Sequence, residues 1–377
     1  MRWEVLAMAA CAVAFGQTTD PRQLFADAVA AQQRGDDALA IRDYRELIRQ
    51  YPNVPQVRAN LGAALAHAGR YGEAIEQYRA VLEKDSGNAQ VRLNLALAYY
   101  KKDDFAGAAA QLTTLHEGAP ADARVATLLG DCWTHMGRDR EAIALLAPIA
   151  KANPADMTVA WILGEALIHA GRPRDGLPLV EKVAGTNHSA EAWLLAGQTW
   201  LGLNEFEHAD AAATAALKLN PALPGLYTVA GEVKQYMGDY PAAMADLAKA
   251  LEANHDDFDA HLTMAAILNT DRDLDGAQRH VVEALRIRPS STLARYELGR
   301  IERSKGDIEG AVRDFEKVVS QDPDWLKPHV ELAALYYRVN RPADGEKERA
   351  IVDKLSAQPA RGDPPGAGRF IAQPPSP

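Results

Sequence analysis

The chain has 377 residues, with 41 basic against 51 acidic side chains, a formal charge of −10 at pH 7 and an apolar fraction of 47%. That balance makes it a poor general ligand for nucleic acid or anionic membrane, which attract an excess of cations. Its two cysteines are Cys11, in a leader-like stretch, and Cys132, so a mature chain without the leader has no internal disulfide.

Met1 to Gln17 reads MRWEVLAMAACAVAFGQ. Arg2 precedes an apolar run from Val5 to Phe15, and Ala14-Phe15-Gly16 has the small-x-small form of a cleavage site. Residues 1–16 therefore read as a secretory signal peptide, which predicts a secreted or periplasmic mature protein beginning at Gln17. The run is too short to span a bilayer as an ordinary helix. Glu4 is unusual in such a leader, so an uncleaved leader that anchors the protein to a membrane is the alternative. Lipidation at Cys11 is a minor variant, because Met8-Ala9-Ala10 matches that motif poorly and the apolar run continues past the cysteine.

From Pro21 the sequence is periodic at 34 residues, best seen from Pro55 to Asn88. With Pro55 as position 1, apolar residues fall at helical spacing before and after Gly69, and Ala68-Gly69-Arg70 reads as a turn. Each unit is thus two short helices, A and B, folded back on each other. Position 8 is small in ten successive units: Ala28, Gly62, Ala96, Gly130, Gly164, Gly197, Gly231, Ala265, Gly299 and Ala333. Position 20, from Ala40 and Ala74 to Ala311 and Gly345, is also small throughout. Two small columns let helices A and B cross closely, because interiors are close-packed. Position 27 is apolar in every unit, and Pro52, Pro120, Pro154, Pro221, Pro289 and Pro323 at position 32 stop helix B.

The units run 21–54, 55–88, 89–122, 123–156, 157–189, 190–223, 224–257, 258–291, 292–325 and 326–358. The fifth is one residue short, and it carries Gly176 and Pro178 within helix B. Both oppose helix, by about 1 and 3 kcal/mol. A shortened or kinked helix is predicted there, and with it a flexing point between two halves. The last helix B, Pro342 to about Ser356, is strongly charged and suits the outer cap of a repeat stack. Residues 359–377 are rich in Pro and Gly and predict a disordered tail, where Arg361-Gly362-Asp363 reads as a chance tripeptide.

The small residues at 8 and 20, apolar 24 and 27 and Pro at 32, all in a 34-residue frame, make this sequence resemble the tetratricopeptide repeat (TPR) family over about nine-tenths of its length. The resemblance implies an all-α, right-handed α-solenoid of antiparallel helix A/helix B hairpins. Its helices A line a concave face, and its usual work is binding other proteins.

No metalloprotease, nucleophile-elbow, phosphate-loop or dinucleotide motif is present, so no enzyme activity and no cofactor are expected. Asp131/His135 and Glu165/His169 are i, i+4 pairs on helices A of consecutive units. They could hold a metal only if four ligands converged, and solvated pairs are the simpler reading. Cys132 reads as a small buried hydrophobe.

By the resemblance, positions 2, 5, 9, 12 and 13 face the groove. In the ninth and tenth units these are Leu293, Tyr296, Arg300, Arg303, Ser304, Lys327, Val330, Ala334, Tyr337 and Arg338: four cations, two tyrosines and no acid. The fourth to seventh units give Arg124 against Asp131, Glu165, Glu191 and Glu232. The groove is therefore expected to be acidic in its middle and basic at its C-terminal end. Tyr296, Arg300, Arg303, Lys327, Tyr337 and Arg338 are expected to hold a protein or peptide partner with an acidic segment or terminus. The chaperone-terminus clamp of the family, a Lys/Asn pattern, is missing at positions 5 and 9. Three readings remain: a protein-binding scaffold, a membrane-tethered assembly subunit, and an enzyme with an unrecognised site.

Overall fold

The computed structural model describes residues 20–357. The leader with Cys11, the expected cleavage after Gly16 and the tail with Arg361-Gly362-Asp363 lie outside them. The described residues form twenty α-helices and no strand. The chain divides into two compact units, Met1–Leu145 and Leu146–Pro377.

The first unit contains α1 (Pro21–Gln33), α2 (Asp37–Gln50), α3 (Pro55–His67), α4 (Tyr71–Leu82), α5 (Ala89–Tyr100), α6 (Phe105–Gly118), α7 (Ala123–His135) and the start of α8 (Asp139–Ala152). The second holds the rest of α8, then α9 (Met157–His169), α10 (Pro173–Asn187), α11 (Ala190–Gly202), α12 (Phe206–Leu219), α13 (Leu226–Tyr236) and α14 (Tyr240–Ala253). It continues with α15 (Phe258–Thr270), α16 (Leu274–Ile287), α17 (Thr292–Lys305), α18 (Ile308–Gln321), α19 (Leu326–Arg338) and α20 (Pro342–Ser356). Helices A pack on their own helices B, as α1 on α2 and α9 on α10, helices B pack on the helix A that follows, as α2 on α3 and α10 on α11, and some helices A touch one another, as α13 touches α15 and α15 touches α17.

The turn between helices A and B has one backbone requirement. Position 15 is left-handed in all ten units: at Gly35, Gly69, Gly137, Gly171, Gly238 and Gly306, and at Asp103, Asn204, Arg272 and Asn340. Glycine enters that region freely and Asn or Asp at small cost, so arginine at φ 68° is the exception. The next residue is commonly Asp. Asp36, Asp104, Asp239, Asp273 and Asp307 each accept a hydrogen bond from the third amide of the helix B that follows.

Positions 8 and 24 share one volume. A Cβ on Gly62 would lie 2.6 Å from the Tyr78 ring, and one on Gly299 would lie 2.8 Å from the Phe315 ring. In the eighth repeat Ala265 and Val281 occupy these positions in one buried cluster.

In the fifth repeat helix α10 is not shortened: it spans 15 residues across Pro178 and closes on His188 in the left-handed region. Leu177, Val180, Val183 and Ala184 are buried along it, and that packing outweighs the weak propensity. Gly176 is needed for contact, since its own Cβ would meet the Gly164 carbonyl at 2.5 Å.

The tenth repeat ends as a cap should. Gly345 alone is buried in α20, and its remaining side chains reach solvent. No helix among the described residues is long and apolar enough to cross a membrane.

Candidate functional site

In the second unit, α13, α15, α17 and α19 wall a groove of about 550 Å³. Its floor is largely apolar, with Leu262, Ala266 and Leu293 beside Thr263, and Leu201 reaches it from α11. Tyr296 and Trp325 stand at its C-terminal wall with ring centroids 4.7 Å apart, and Tyr296 also packs on Phe315 at 5.5 Å. Both are nearly buried, and burial pushes the Tyr296 phenol up to about 12. Tyr296 is therefore a fixed wall and not a projecting contact.

Of the six residues singled out from sequence, Tyr296, Arg300, Arg303 and Lys327 line this groove. Tyr337 and Arg338 do not. The Tyr337 hydroxyl donates to Glu346, its ring lies against Gly345 and under Arg349, and so it faces its own helix B. Arg338 is exposed at the end of α19.

The expected basic, acid-free end is also corrected. Arg300 donates from Nη1 to both oxygens of buried Glu297, at 2.9 and 2.8 Å. Arg303 donates from Nη1 to Glu331. Both acids line the groove, and both stand at position 6, just beside the positions taken to face it. On a helix, position 6 lies three residues before position 9 on the same face, which is what lets Glu297 meet Arg300. Burial raises the Glu297 carboxyl, with Arg300 opposing the shift.

The opposite end is acidic, and Arg288 at Asp259 balances it only in part. Glu232 on α13 makes no ion pair among the described residues, and burial with Asp259 and Asp257 nearby pushes its carboxyl up to about 8. Asp259 on α15 has an oxygen that is buried and accepts no hydrogen bond, and its nearest cation, Arg288, stands 3.9 Å away. Burial pushes Asp259 up to about 7.

Sequence reasoning missed a clamp that recurs beside this face. The residue at position 4 of helix A reaches two groups at once: the carbonyl six residues before it and the side chain 19 residues after it. Arg58 takes Pro52 O and Gln77, and Arg92 takes Ser86 O and Gln111. Arg295 takes Pro289 O and Asp314, and His329 takes Pro323 O and Glu348. In the eighth repeat both partners are imidazoles: His261 Nε2 donates to His255 O, and its Nδ1 lies 3.0 Å from His280 Nδ1. The signal in sequence is a polar residue at position 4 matched by one at position 23.

Asp131 and His135 have neighbours of their own. Asp131 accepts a hydrogen bond from Tyr100 at 2.5 Å, with His135 at 3.8 Å stacked on Phe105. No three His, Cys, Asp or Glu residues converge as a metal site among the described residues. Cys132 is wholly buried, and burial pushes its thiol up to about 12, which makes it inert at neutral pH.

Family models described as tetratricopeptide repeat match residues 65–132, 100–167, 25–89, 270–324 and 190–223, more than half the chain. The chain belongs to the tetratricopeptide repeat family. Among solved structures this TPR chain is similar to the anaphase-promoting-complex hetero-tetramer Cut9–Hcn1, with TM-score 0.53, 13% identity and coverage of 90% of this chain and 88% of that one. It is also similar to yeast Tom70, at TM-score 0.43, 14% identity and coverage of 90% and 92%. A third likeness is to the human IFIT1 dimer with m7Gppp-AAAA, at TM-score 0.46, 13% identity and coverage of 90% and 91%. At these identities the likeness concerns the fold. No curated protein matches the chain.

Proposed function

We propose that this TPR protein is a non-enzymatic scaffold whose second unit holds a segment of a partner protein in the groove between α13 and α19. The observation that carries the reading is the groove itself: an apolar floor ended by a rigid Tyr296–Trp325 wall and charged groups of both signs. That is the composition of a surface that packs against a chain and orients it by a few polar contacts. Arg303, which gives Nη1 to Glu331, and Lys327 are the cations placed to meet a carboxylate of the partner, and Arg300 gives Nη1 to both oxygens of Glu297. Membership of the TPR family supports a protein partner.

The signal-like leader adds a location to this reading: the mature scaffold works outside the cytoplasm, in the periplasm or beyond. Mass-spectrometric identification of Gln17 as the first residue of the exported protein tests that part separately.

A random-peptide phage library panned on the exported chain tests the groove. Ala266 lines its floor, so Ala266→Arg fills it without touching the helix-crossing columns. Clones enriched on the wild type and lost on A266R, with circular dichroism unchanged, are the expected result. Equal enrichment on both proteins contradicts the reading.

A further inference from the structure

The groove has two poles. Glu232 and Asp259 lie on α13 and α15, whereas Arg303 and Lys327 lie on α17 and α19. The acidic pole is only partly balanced: Glu232 has no ion pair among the described residues, and the buried Asp259 Oδ1 accepts no hydrogen bond and has Arg288 no nearer than 3.9 Å. A buried polar atom left without a partner costs about 1–3 kcal/mol, and a cation brought by a ligand removes that cost. At the other pole Arg303 gives only Nη1 to Glu331. A guanidinium has five donors in a planar fork, so a second carboxylate can be received beside the first.

The separation of the poles sets a spacing. Packed helices stand about 8–10 Å apart, so two helix steps from the acidic to the basic pair cover about 16–20 Å. An extended chain rises about 3.3 Å per residue, which places about five or six residues between the charges it must present. Leu262, Ala266 and Leu293 line the same groove and offer alternate side chains of such a segment an apolar surface.

Resting on the proposed function of this groove, we propose that it selects an extended segment of a partner protein with a lysine or arginine for Glu232 and Asp259 and, about five or six residues along, an aspartate or glutamate for Arg303 and Lys327. An acidic segment alone leaves half the site unmatched, because it brings no cation to Glu232 and Asp259.

The panned clones test this directly. Three proteins serve as bait: the full chain, Glu232→Gln with Asp259→Asn, and Arg303→Gln with Glu331→Gln. The paired changes remove charge in each case without leaving a new buried ion alone. On the wild type, clones with a base and an acid about five or six residues apart should rise about tenfold over the naive library, the ratio given by one well-placed charge pair. The first variant should lose the preference for the base and keep the acid, and the second the reverse. Enriched clones without the spaced pair, or preferences unchanged by both variants, overturn the inference, although loss of those same clones on A266R keeps the groove as the binding site. No enrichment on the wild type over A266R overturns the inference and the groove reading together.

Discussion

Gly176 and Gly164 bring the backbones of α10 and α9 into direct contact: a Cβ on Gly176 would lie 2.5 Å from the Gly164 carbonyl oxygen and 2.9 Å from Ile168 Cγ1. Helix propensity alone favours Ala over Gly by about 1 kcal/mol. Overpacking costs more here, because a carbonyl cannot swing aside as a long side chain can. Gly176→Ala should therefore destabilise the second unit by about 1–3 kcal/mol. Gly197, at position 8 of the next repeat, has its nearest neighbours at an ordinary 3.6 Å. Gly197→Ala should be neutral or stabilising by up to about 1 kcal/mol. Amide exchange of α9–α10 and α11–α12 reads both, and a neutral G176A would show that the helices can separate freely.

Arg272 supplies a second test of backbone requirements. It holds φ 68° at a turn position where six other repeats have glycine. The left-handed conformation costs an ordinary residue about 1–2 kcal/mol, so Arg272→Gly should stabilise the eighth repeat by about 1 kcal/mol once unfolded-state entropy is counted. Slower exchange in α15 and α16 is the expected observation. Faster exchange would mean that the arginine side chain stabilises the turn.

The repeat frame was legible because it rests on local demands. Position 8 and position 20 must be small for helices to cross, the left-handed turn at position 15 takes glycine in six repeats, and proline follows helix B in six; each demand leaves a recurring residue type in a column. The groove was legible only in part. Reading fixed positions found Arg300, Arg303 and Lys327 but missed Glu297 and Glu331, because pairing three residues apart on one helix and 28 apart between helices leaves no column of its own. Trp325 escaped because it sits at the cap of α19, outside the helical period. Tyr337 was misplaced because it turns toward α20, where Gly345 leaves room for its ring. Pro178 and Gly176 misled for the opposite reason: propensity is local, whereas the buried face that holds α10 is tertiary.

Stability should depend on pH through the acidic pole. The Glu232 carboxyl is raised in the folded protein to about 8 from a usual 4.5, so the folded state binds its proton more tightly than the unfolded chain. Its contribution is fully present below about pH 4.5 and is lost as pH rises through about 8. Glu232→Gln keeps the neutral form at every pH. The stability gain of that variant over wild type should grow between these limits and level off above them, read by melting in parallel buffers. A pH-independent difference would contradict the buried environment assigned to Glu232.

The His261–His280 clamp should respond to acid in the opposite sense. His261 Nε2 donates to a carbonyl, so its neutral ring accepts at Nδ1 and His280 must donate there. Burial, then His261 and Arg279, lower the His280 pKa below 6.5, whereas Asp273 and Glu283 oppose the shift. A depressed histidine stabilises the fold above its unfolded pKa, and that stability is lost as pH falls below about 6.5. Exchange in α15 and α16 should accelerate as pH falls from about 7 to about 5, after correction for intrinsic rates, and His280→Gln should blunt the acceleration. An identical pH response in that variant would place the titration elsewhere.

A partner segment lying in the groove of the second unit is caught in place by cross-linking from within that groove. A photoreactive residue is placed at Ala266 on the groove floor, and in a second protein at exposed Glu252 on α14, a helix B. Each is irradiated with a peptide enriched on the wild-type chain. Cross-links from position 266 and none from position 252 are the expected result. Cross-links from position 252 alone would put the partner on the outer helices and contradict the account.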